Sequence, residues 1–172
     1  MSLEIKVKLA NCRSKLQISE LANEIHSNQK LLSEYYKLTS EKGYEDADKA
    51  AWIIRCYFQN LKSIDLKNQK KVIQLLSKVN NQAVLRNLSG IMADIPFDKK
   101  LSEDVINLSF KILNEDFHDV AVYANFMIAL IPFIRIFPEL KAEIEHMAER
   151  NPMKDKCAFQ LRLKTVLSLK TE

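Results

Sequence analysis

The residues best suited to chemistry are the three histidines, His26, His118 and His146, because imidazole serves both as a metal ligand and as a base near neutral pH. None lies within four residues of another histidine or of a cysteine, so metal-ligand spacing is absent. The cysteines, Cys12, Cys56 and Cys157, form no CxxC pair. One acid–base cluster can be drawn, Asp116, His118 and Asp119, within the polar segment from Asn114 to Asp119. The same segment reads as a turn between helices with Asp119 as the helix cap, and we adopt that reading. Fifteen serines and threonines are present, none in a nucleophile-elbow motif. Gly43 and Gly90 are the only glycines in 172 residues, where an average chain carries roughly a dozen. Phosphate-cradling loops need clustered glycines, so neither a dinucleotide fingerprint nor a P-loop can form. No catalytic, cofactor-binding or metal-binding residue is expected, and the chain reads as non-enzymatic.

Binding remains. Charge is +4 overall but unevenly placed. Residues 62–100 carry eight basic side chains against three acids, a balance of +5, whereas residues 139–149 set four glutamates against Lys141. Lys67, Lys71, Gln74 and Lys78 recur at spacings of four, three and four, which places them on one helix stripe. Thirty-three residues on, Asn107 and Lys111 match Gln74 and Lys78, with Glu103 near the start of that stripe. Glu139, Glu143 and His146 follow on a later helix, so the face grades from basic to acidic. DNA binding exploits continuous positive charge through counterion release. A face that changes sign suits a protein or peptide better. Arg55 stands alone as a charge in an apolar run. It could snorkel to the surface, pair with an acid on a neighbouring repeat, or meet an anionic ligand. Trp52 could offer a stacking platform, but its apolar neighbours place it in the core.

Helices must position these side chains. Scarce glycine argues against hairpin-rich β folds, and apolar residues recur at helical period almost throughout. Leu16, Leu21 and Ile25 mark a first helix; Leu31, Leu32, Tyr35 and Leu38 mark a second, expected to stop at Gly43 through a left-handed cap. A third runs from Tyr44 to Leu61, apolar on nearly every side. The fourth starts near Asp65, and the fifth covers about Asn81 to Ile95. The sixth spans Leu101 to Leu113, with Ser102 or Asp98 as its cap. The seventh follows Asp119 and must kink or end at Pro132. Pro138 suits the first turn of an eighth helix, reaching about Arg150, and a ninth covers Cys157 to Leu169. Gly90, inside the fifth helix, is expected to mark close approach to a neighbouring repeat.

These helices repeat as pairs. Val72, Ile73, Leu75 and Val79 align at an offset of 33 with Val105, Ile106, Leu108 and Ile112. At an offset of 38, Ala83, Val84 and Asn87 align with Ala121, Val122 and Asn125, so the two asparagines could form a ladder between repeats. A helical hairpin recurring at this period is the mark of an α-solenoid. Four pairs plus a closing helix account for residues 1–172 as a single domain.

Three segments carry a family likeness: Lys49 to Ile54, Ala83 to Pro96, and Val120 to Leu140. Together they make the stretch from Lys49 to Leu169 resemble a HEAT-like repeat family of small bacterial proteins. The resemblance implies a short right-handed superhelix of antiparallel helix pairs and carries no activity with it. It gives no support to an adenylosuccinate lyase label. Those lyases share a serine-rich flexible loop ending in Met-Pro-x-Lys-x-Asn, whereas the nearest string here is Asn151-Pro152-Met153-Lys154.

The chain is therefore expected to be an all-α, HEAT-like interaction module binding a protein or peptide on its concave face. Arg55, Lys67, Lys71, Gln74, Lys78, Asn107 and Lys111 are its candidate contact residues. The alternative is a nucleic-acid-binding module resembling the HEAT-like alkylpurine DNA glycosylases, and a lyase ranks last. The longest apolar stretch, Phe126 to Ile134, is far below the roughly 20 residues of a membrane span, so no membrane partner is expected. No signal peptide is visible, and Cys56 in its apolar run suits a reducing compartment. A cytoplasmic location follows as an expectation.

Overall fold

The computed structural model describes residues 2–169, which form helices and the turns between them, with no strand among the described residues. The fold is all-α, as the composition and periodicity indicated. The chain divides into two compact units, Met1–Ile91 and Met92–Glu172.

The first unit contains α1 (Ser2–Asn11), α2 (Lys15–Ser27), α3 (Lys30–Ser40), α4 (Ala47–Leu61), α5 (Leu66–Leu76) and most of α6 (Gln82–Asp94). A reciprocal capping box opens α2: the Gln17 N–H donates to the Ser14 hydroxyl at 3.2 Å, and the Ser14 N–H donates to Gln17 Oε1 at 3.1 Å. The core is built on α4, which packs against both α2 and α3. Ile53, Ile54 and Phe58 on α4 are buried with Ile18 and Ile25 of α2 and Tyr35 of α3. Each such side chain contributes about 1.5–3 kcal/mol on leaving water. Trp52, expected in the core, is only half-buried; an indole is large enough that helices rarely enclose it fully.

Helix α1 was not foreseen. Its alternation of charged and apolar residues hides a one-turn pair, Ile5 and Leu9, that is buried while Leu3 and Val7 stay exposed. The Lys49 ammonium donates to the Leu9 carbonyl at 3.0 Å, satisfying an acceptor in the last turn of α1. Two boundaries also differ from expectation. Helix α3 ends at Ser40 with an extended Glu41, and Gly43 takes its positive φ of 77° in the turn beyond. Helix α4 starts at Ala47 because turn hydrogen bonds from Tyr44 to Glu41 and from Ala47 to Tyr44 occupy the intervening backbone. Its far end is closed by Lys62 in the left-handed region, φ 54°.

Helix α6 meets α4 through two polar or small residues. The Asn87 amide donates to the Asp48 carbonyl at 3.2 Å, so it is used on the backbone of α4 rather than in an asparagine ladder. Gly90 lies beneath the Arg55 side chain of α4, which is the close approach expected of a glycine inside a helix.

The second unit holds a 3-10 turn (Lys99–Leu101), α7 (Ser102–Asn114), α8 (Val120–Ala129), α9 (Ile131–Ile134), α10 (Leu140–Arg150) and α11 (Cys157–Leu167). Asp98 caps the 3-10 turn, accepting from the Lys100 N–H at 2.8 Å, and Ser102 becomes the first residue of α7. Pro132 ends α8 and falls in the first turn of α9, where its missing N–H is not needed. Pro138 stands just ahead of α10 rather than in its first turn, its carbonyl accepting from Lys141. Helix α8 packs against α7 and α11, burying Tyr123, Phe126 and Phe159. The buried Asn151 amide donates to the Leu113 carbonyl at 3.2 Å, satisfying the last turn of α7.

All three cysteines are free; Cys12 and Cys56 are buried and Cys157 is exposed. Burial pushes the Cys56 thiol above its ordinary pKa. Among the described residues no helix is long and apolar enough to cross a membrane.

Candidate binding groove

In the first unit α3 and α5 flank an open groove of about 870 Å³, within the ~300–1,000 Å³ range of ligand clefts. Ser33, Tyr36, Lys37 and Ser40 of α3 line one wall at spacings of three, one and three, a single helix face. Leu66, Lys67, Asn68, Lys70, Lys71 and Gln74 of α5 line the other.

The floor is fixed by a chain of hydrogen bonds. The Tyr36 hydroxyl donates to Asn68 Oδ1 at 3.1 Å, and Asn68 Nδ2 donates to Asp65 Oδ2 at 2.8 Å. The other oxygen of Asp65 accepts the Asn68 N–H at 2.8 Å, capping α5. Burial, and then the Asp65 charge, push the Tyr36 hydroxyl far above its ordinary pKa, so it remains a protonated donor. Both oxygens of Asp65 are thus engaged.

Of the cations lining the groove, Lys37 pairs with Glu34 at 2.9 Å, whereas Lys67, Lys70 and Lys71 are exposed and make neither a hydrogen bond nor an ion pair with any described residue. Lys67 stands three and four residues before Lys70 and Lys71, and each of these two like-charge pairs costs about 0.2–0.5 kcal/mol. Lys67 also stands in the first turn of α5, where the helix dipole favours an acid. The arrangement is electrostatically unfavourable to the free protein.

The sequence-selected residues separate in the structure. Lys67, Lys71 and Gln74 line the groove together. Lys78 is exposed just past the Ser77 cap of α5 and does not line it. Arg55 is half-buried on α4 against Gly90. Asn107 and Lys111 are exposed on α7, in the second unit. Sequence reasoning missed the α3 wall and Lys70. A polar stripe at Ser33, Lys37 and Ser40 was there to find, but only the fold shows that α3 lies beside α5.

In the structure the histidine of the cluster drawn from Asp116, His118 and Asp119 is buried beside Glu115, an acid that the cluster did not include. His118 is 3 % exposed, and its Nε2 lies 2.6 Å from Glu115 Oε2, while Asp116 and Asp119 lie at the surface. The Tyr123 hydroxyl accepts the His118 backbone N–H at 3.2 Å and donates to the Glu115 carbonyl. These bonds fasten the turn between α7 and α8 and bury the imidazole beneath it. Among the described residues no group of three or more His, Cys, Asp or Glu side chains could hold a metal ion.

A family model described as a HEAT repeat domain matches residues 5–167. Neither the curated proteins nor the solved structures gave a match.

Proposed function

The chain belongs to the HEAT repeat domain family, and we propose that it is a non-enzymatic interaction module that binds a protein or peptide in the groove between α3 and α5. HEAT repeats are helical scaffolds that commonly mediate protein interactions. The observation that carries the reading is the groove itself, walled by three exposed lysines that pair with no described residue, over a hydrogen-bonded floor. Residues 1–172 are read as one continuous repeat domain, supported by a family match that runs unbroken across the junction of the two units.

A photo-reactive amino acid in place of Gln74 tests this in the host cell. A protein adduct should form at that position, and Lys67→Glu with Lys71→Glu should abolish it. Loss of all adducts, or adducts indifferent to both reversals, would remove the groove from the binding surface. An adduct carrying nucleotide mass would establish the nucleic-acid alternative instead. Against that alternative, Tyr36 is the single aromatic ring lining the groove and is only 5 % exposed, so it offers no open face for base stacking.

A further inference from the structure

We infer that the occupant of the groove between α3 and α5 is an acidic peptide segment with an apolar side chain among its carboxylates. This rests on the binding reading above and specifies its partner. Charge comes first. Lys67, Lys70 and Lys71 lie within about one turn of α5, a rise of roughly 6 Å, and among the described residues none has an anion of its own. What sets these three apart from the other exposed lysines of the unit is that they cluster on one wall of a groove, where they present a concentrated positive field to an outside partner.

The second argument is the shape and chemistry between those charges. Leu66 is half-buried and lines the groove beside the lysines, so apolar surface lies where the lysine stems start. Lysine stems cover apolar surface while their ammonium groups reach outward. A partner side chain of leucine size can seat between the stems with carboxylates on either side of it. Gln74 and Ser33 add exposed amide and hydroxyl groups at the rim, which suit a peptide backbone. The fixed floor of Tyr36, Asn68 and Asp65 means that little ordering is required of the protein on binding.

Fluorescence anisotropy on the full chain tests the inference. The probe is a short labelled peptide of aspartate and glutamate around one leucine. Comparators are its asparagine–glutamine counterpart, its leucine-to-serine counterpart, and a single-stranded oligonucleotide of equal charge. The acidic peptide should bind at least tenfold more tightly than the amide counterpart and several-fold more tightly than the serine counterpart. Its affinity should fall as salt rises, and Lys67→Glu with Lys71→Glu should reduce it at least tenfold. These lysines are exposed, and an unchanged circular dichroism melt shows that the variant is folded. No peptide binding at low salt, equal binding of the amide counterpart, or tighter binding of the oligonucleotide would each overturn the inference. A protein adduct through position 74 combined with any of these results would leave the groove reading standing and discard only the acidic partner.

Discussion

The Arg55 side chain lies where a side chain on Gly90 would have to stand: a Cβ built on Gly90 would fall 2.6 Å from the Arg55 Nε. Glycine inside a helix costs about 1 kcal/mol against alanine, and here its bareness admits a guanidinium between α4 and α6. The isolated charge in an apolar run and the glycine inside a helix are two halves of one contact.

Gly90→Ala should therefore stabilise the protein by less than the helix-propensity gain of about 1 kcal/mol with Arg55 present, because the guanidinium must leave its seat. In an Arg55→Ala background the same change should stabilise by about 1 kcal/mol through helix propensity. Urea denaturation of the four proteins in this cycle measures the coupling. Additive effects would show that the two residues are energetically independent.

Removing a lysine from the groove should help the free protein. Lys67→Glu replaces repulsion with attraction toward Lys70 and Lys71 and puts an acid in the first turn of α5. A gain of about 0.3–1 kcal/mol is expected at low salt, shrinking as salt screens it. Thermal melts at two ionic strengths check this, and a loss of stability would mean that Lys67 has a structural role.

Tyr123→Phe should loosen the turn between α7 and α8. The hydroxyl serves both the His118 N–H and the Glu115 carbonyl, and its removal leaves buried backbone groups unpaired at about 1–3 kcal/mol. Hydrogen exchange should quicken in residues 115–118, and unchanged protection there would contradict the assigned role.

Alkaline pH should unfold the first unit through its tyrosines. Burial above all, with Asp46 and Glu41 adding, pushes the Tyr44 hydroxyl up to about 12. Tyr35 and Tyr36 are also raised, mainly by burial. The unfolded chain loses these protons first, near pH 10. Stability is thus fully present below about pH 10 and falls as pH rises toward the folded values. The Tyr44 hydroxyl is also buried without a hydrogen-bond partner. Tyr44→Phe should match or exceed the parent at pH 7, by up to ~1 kcal/mol, and decline less above pH 10. Urea titrations at pH 7 and pH 11 distinguish the outcomes.

Sequence alone determined the helical class, the paired repeat and most helix positions. Scarce glycine and apolar residues at helical spacing leave a chain few other ways to satisfy its backbone and bury its side chains. It also singled out Arg55 and Gly90 as anomalies and placed Lys67, Lys71 and Gln74 on one stripe. The tertiary structure decided what each of these faces. Local periodicity records which side of a helix is wet but not which helix stands beside it, so the α3 wall with Lys37 and Tyr36 was invisible. The contact of His118 with Glu115 also went unread, and α1 stayed hidden behind its alternating charges. Partners across a groove are fixed by packing between separate helices, and no spacing rule within one helix encodes them.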